Sequence, residues 1–128
     1  MLAAAGVLAG LAVVVFMAAG SVEWGPPGTD AYSGYATVNR LVSLPWIACA
    51  IVLVVLLRYT PRLGVAITFA GAILIVVGNV AEFWFLNDAS YADTGRRSAW
   101  SMFLAGHLVF LIGYATAWWQ AQQLTHSK

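Results

Sequence analysis

Charge is what this chain has least of: six Lys or Arg and five Asp or Glu give a formal net charge of +1, and 9% of its 128 residues are charged. So small a surplus is too little to imply nucleic acid or an anionic surface as partner. Cysteine is limited to Cys49, so no intrachain disulfide can form and the redox compartment stays open. Histidine occurs twice, and only His107 falls inside an apolar run; a b-type haem with two axial histidines is excluded, because His126 lies in the tail. There is no nucleotide-binding loop, no cofactor motif, no internal repeat and no low-complexity linker, and no cofactor is expected. No Lys or Arg precedes the first apolar run, so it lacks the basic region of a signal peptide and reads as a retained membrane helix.

What is present is hydrocarbon. Hydrophobic residues make up 62% of the chain and the mean hydropathy is +0.83, more than a soluble core of this size can hide. Four apolar runs, Leu2–Ala19, Leu41–Leu57, Gly64–Leu86 and Trp100–Trp119, predict spans of approximately 2–19, 41–58, 64–87 and 99–120. At about 1.5 Å rise per residue the first reaches roughly 27 Å and the third roughly 34 Å, against about 30 Å of hydrocarbon. The expectation is an all-α, integral-membrane four-helix bundle, up-down-up-down, with residues 1–128 as a single domain.

Gly25, Pro26, Pro27 and Gly28 break the chain after the first span and predict a loop of about twenty residues, with a helix resuming from about Ala36 to Leu41. Pro45 then falls in the first turn of the second span or kinks it. The Tyr59-Thr60-Pro61-Arg62 turn makes the second and third spans antiparallel neighbours. Asn87 to Ala99 forms a polar loop, with Ser98 as cap of the last helix. Arg58 and Arg62 crowd a very short loop, whereas Arg40, Arg96 and Arg97 lie in longer ones, so the positive-inside bias predicts cytoplasmic termini. Trp24, Trp46, Trp84 and Trp100 mark one interface and Trp118, Trp119 and Tyr59 the other.

Two patterns concern helix contacts. Gly6 and Gly10 make a GxxxG spacing in the first span. Gly64, Gly71 and Gly78 recur every seven residues, as do Ala99, Gly106 and Gly113, and this spacing keeps a narrow stripe facing a partner. An antiparallel hairpin that sets Gly78 at the depth of Gly106 throws Asn79, Glu82 and His107 onto one flank, with Cys49 at comparable depth. Ionisable groups inside membrane spans face protein or water and mark candidate sites.

That Asn79, Glu82 and His107 cluster admits several readings: a docking element, a proton or ion path, or an acid/base site acting on a lipid-like substrate. Cys49, Glu82 and His107 form an acceptable metal-ligand set, but they come from three helices without a local spacing motif, so no metal is expected. In span number and balanced basic residues the chain is similar to small dual-topology exporters, yet those carry a glutamate in the first span, which here has no ionisable side chain. With packing signals abundant and catalytic motifs missing, the reading is an accessory or stabilising subunit of a larger membrane assembly. Its partners are the lipid bilayer and other integral-membrane subunits or further copies of itself, without nucleic acid. The alternative is a small proton- or ion-coupled transporter, or an embedded acid/base enzyme, using the Glu82, His107 and Asn79 cluster.

Overall fold

Helix is the only regular structure among the described residues, and its limits follow from caps and breakers. A computed structural model describes residues 1–20, 25–26, 29–86, 89–90 and 92–126. In chain order the elements are α1 (Leu2–Gly20), α2 (Asp30–Tyr59), α3 (Leu63–Val80) continuing into a π turn (Ala81–Phe85), and α4 (Thr94–His126). All four helices are long and apolar enough to cross a membrane. The chain is a multi-pass membrane protein built as an all-α four-helix bundle.

The first and third spans fall where the hydropathy places them; the second and fourth are longer than expected. α2 does not wait for Ala36. Thr29 caps it at Asp30, its hydroxyl oxygen accepting from the Tyr32 amide at 3.2 Å while the hydroxyl donates to Pro26 O at 2.7 Å. The result is a 30-residue helix, about 45 Å long, with Pro45 in its interior rather than its first turn. α4 likewise starts before Ser98. Asp93 Oδ1 accepts from the amides of Gly95 at 2.7 Å and Arg96 at 3.2 Å, the geometry of an N-cap, so Arg96 sits in the first turn of the helix rather than in a loop.

α1 packs on α2, α2 on α3 and, most extensively, α3 on α4. In a bilayer the drive for this is close van der Waals contact, because lipid is as apolar as the helices. The α3/α4 seam meets that condition through backbone approach. A Cβ on Gly78 would lie 2.6 Å from both Ala99 O and Phe103 N, and one on Gly106 would lie 2.7 Å from Ile75 N. Gly64 abuts Ala117, Gly71 abuts Phe110 and Gly113 abuts Thr68 in the same way. The register differs from the expected one. Gly78 faces Ala99 and Phe103, not Gly106, and Gly106 faces the interval between Gly71 and Ile75. The small residues of the two stripes therefore interleave, each fitting beside larger residues of the partner, as knobs fit holes.

α1 buries Ala5, Ala9 and Ala12 against Val42, Trp46, Cys49 and Leu53 of α2. Its GxxxG pair is not that contact face: Gly6 meets the Tyr114 hydroxyl, and a Cβ on Gly10 would meet nothing within 4 Å. α1 reaches α4 toward its ends, through Tyr114 Oη and Leu2 O at 3.4 Å and through the Phe16 and Phe103 rings at 5.7 Å. Of the expected aromatic belt, Trp84, Trp118, Trp119 and Tyr59 are exposed, but Trp46 is 2% exposed and belongs to the core. Trp24 lies outside the described residues.

Candidate functional site

The end of α3 is where the bundle concentrates its buried charge. A helix C-terminus presents unpaired carbonyls and the negative end of the dipole, and Glu82 adds a carboxylate there, so the locus requires cations. Two arginines from neighbouring helices supply them. Arg40 of α2 donates from Nε to Phe83 O at 2.7 Å and lies over the Trp84 ring at 5.7 Å. Arg96 of α4 pairs through Nη1 with Glu82 Oε1 at 3.1 Å. Its Nη2 donates to Tyr32 Oη at 2.9 Å and to Leu86 O. Glu82 is 4% exposed and Arg96 1%. A buried pair of this kind needs its remaining donors and acceptors satisfied to offset desolvation; Tyr32 and the helix-end carbonyl serve Arg96 Nη2, whereas Glu82 Oε2 has no hydrogen-bond partner among the described residues.

Local sequence explains how these groups meet. The π turn, with Leu86 N bonded to Ala81 O at 2.9 Å, widens the last turn of the third span. Tyr32, Tyr35 and Ala36, on the early part of α2, pack on Phe83, with the Tyr35 and Phe83 rings at 5.9 Å. The extra residues of α2 thus form a shelf under the π turn, and the Asp93 cap aims the first turn of α4 at it.

Asn79 is fully buried, and neither its Nδ2 nor its Oδ1 has a hydrogen-bond partner among the described residues. It lines a cavity of about 10 Å³ with Glu82, Phe103 and Trp100, room for about one water molecule. Asn79 and Glu82 therefore share a site. His107 does not join it. Its Nδ1 contacts Phe103 O at 2.7 Å, and its ring stands edge-on to Trp46 at 5.4 Å and to Phe103 at 4.5 Å. His107 lines a separate cleft between α1 and α4. Glu82 is paired with Arg96 instead, eleven residues earlier on the same helix, about 16 Å along its axis. The coupled Glu82 and His107 pair is thereby corrected: the register that placed them together is not the one the seam adopts.

Cys49 is buried on α2 with Sγ 3.5 Å from Ala5 O of α1. It does not converge with Glu82 and His107, and no group of three metal-ligating side chains forms among the described residues.

Chemically, the locus at the end of α3 is a clamp. It ties α2, the π turn and α4 together through charge-assisted hydrogen bonds and leaves a cavity too small for an organic substrate. Comparison with protein-family models, with curated proteins and with solved structures finds no match.

Proposed function

We propose that the chain is a small accessory or stabilising subunit of a larger integral-membrane assembly. One observation carries the reading: among the described residues the buried carboxylate Glu82 is ion-paired through Oε1 with Arg96, which is itself held by Tyr32 and Leu86 O. What the bundle offers a neighbour is lateral apolar surface, including Val7, Val14 and Met17 of α1 and Leu44 and Ile51 of α2. Such faces suit partner helices or lipid. The alternative, a proton- or ion-coupled transporter or acid/base enzyme built on Asn79, Glu82 and His107, has less support, because Glu82 and His107 lie in separate environments.

Purification of the tagged chain from its native membrane in lipid nanodiscs, followed by quantitative mass spectrometry, tests the proposal. A membrane partner at fixed stoichiometry is expected. Recovery of the chain alone, together with proton-coupled uptake in proteoliposomes that Glu82→Gln abolishes, would overturn it in favour of the transporter.

The same proposal places both termini in the cytoplasm, on the strength of Arg58 and Arg62 flanking the short turn between α2 and α3. Thiols introduced at Ser90 should label from outside intact cells, and thiols at Pro61 should not. Outside labelling at Pro61 alone reverses the orientation, and labelling at both indicates dual insertion.

A further inference from the structure

A cleft opens between α1 and α4, lined by residues of α1, α2 and α4. Its volume is about 300 Å³, within the range of small-ligand sites. α1 meets α4 near its two ends, at Tyr114 and at Phe16, while Gly10 between those contacts projects no side chain. One wall is α1, with Ala9 and Val13 flanking the open backbone of Gly10 and with Gly6 against the Tyr114 hydroxyl; the other is aromatic, with Phe110 set at 82° to Trp46 and stacked at 15° on Tyr114. Tyr114 also borders a second cavity, beside Trp118, Trp119 and Gln122, nearer the end of α4.

His107 and Tyr114 are the ionisable side chains that line this cleft, and the hydrogen bonding of His107 is directional. Phe103 O can only accept, so Nδ1, 2.7 Å away, carries the proton. In the neutral imidazole Nε2 is then an acceptor, and it has no hydrogen-bond partner among the described residues. The cleft therefore combines a slot between backbone and aromatic rings with an unpaired imidazole acceptor, located thirteen residues into a 33-residue helix, while the Tyr114 hydroxyl is turned toward Leu2 O at 3.4 Å.

We propose that this cleft binds one membrane lipid whose head is a hydroxyl-bearing aromatic ring. The ring lies between the glycine wall and the corner formed by Trp46 and Phe110, its hydroxyl donates to His107 Nε2, and its apolar tail follows Tyr114 toward Trp118. An aliphatic lipid chain would fill the space but leave Nε2 without a donor, and a polar solute would not reach this depth.

The test uses the full chain in nanodiscs, titrated with 4-decylphenol and with its methyl ether, 4-decylanisole. The two have nearly the same shape and apolar surface, but the ether has no proton to donate. The phenol is expected to bind at one per chain and about tenfold more tightly than the ether, the worth of one hydrogen bond in a dry site. His107→Leu should remove the difference. Gly10→Leu should abolish binding of both probes with little change in melting temperature, because the new side chain enters open space. Equal affinity of phenol and ether for the native chain, no binding of the phenol, or full binding by a folded Gly10→Leu variant would each overturn the proposal. Because the chain is tested alone, the outcome is independent of any partner subunit.

Discussion

Adding a single methyl group at Gly78 should separate α3 from α4. Its Cβ would lie 2.6 Å from Ala99 O and from Phe103 N, where ordinary contact begins at 3.4 Å, so the two backbones must part by roughly 0.8 Å. Neither contact atom belongs to a flexible side chain that could swing aside. Overpacking of this kind costs about 1–3 kcal/mol in soluble cores, taken here as the scale for a bilayer. Ala also favours helix over Gly by about 1 kcal/mol, which would mask part of the loss. Gly10→Ala provides the reference, since its Cβ meets nothing within 4 Å and carries the same propensity gain. The difference between the two variants isolates the close approach. Thermal unfolding in dodecylmaltoside, followed by circular dichroism, should show Gly78→Ala less stable than Gly10→Ala by about 1–3 kcal/mol. If Gly78→Ala matches or exceeds Gly10→Ala, the seam does not hold these helices at backbone contact, and the interleaved register is wrong.

Asp93→Ala should destabilise the start of α4 by about 0.5–2 kcal/mol through loss of its cap, visible as faster amide exchange at Gly95 and Arg96, whereas Ser98→Ala should leave both unchanged. Tyr32→Phe removes the hydroxyl that accepts from Arg96 and should cost about 1 kcal/mol or more in melting experiments, since hydrogen bonds to charged groups lie at the upper end of the range; an unchanged melt would detach the early part of α2 from the clamp.

Much of the fold was legible because hydrocarbon length is a composition signal: Leu2–Ala19 and Leu63–Phe85 coincide with the apolar runs almost to the residue. The ends that departed are those where a polar side chain caps a helix outside the run. Thr29 and Asp93 are both good N-cap types, but neither is followed at once by apolar periodicity, so hydropathy alone placed the helix starts several residues too late. That error had a consequence for the site. With α4 starting at Ala99, Arg96 reads as a loop cation and Glu82 must look for a partner inside the run, where only His107 can become a cation. With α4 starting at Thr94, Arg96 lies in its first turn and within reach of Glu82. The rule that a carboxylate at a helix C-terminus needs a cation could have pointed there. The seven-residue glycine spacing identifies a stripe on each helix but not how far one slides along the other; the half-heptad offset arises from the bulk of Phe103, Ile75 and Phe110 beside the glycines.

If the buried Glu82 and Arg96 pair holds the bundle together, a double-mutant cycle shows it most directly. Removing one partner of a buried pair leaves an uncompensated charge and typically costs about 3–5 kcal/mol, whereas replacing both with apolar residues of similar volume is close to neutral. Glu82→Met and Arg96→Met should each lower stability by that order in detergent unfolding, and the double variant should recover most of the loss. Single variants that melt like the native chain, or a double variant whose loss equals the sum of the two, would contradict the clamp.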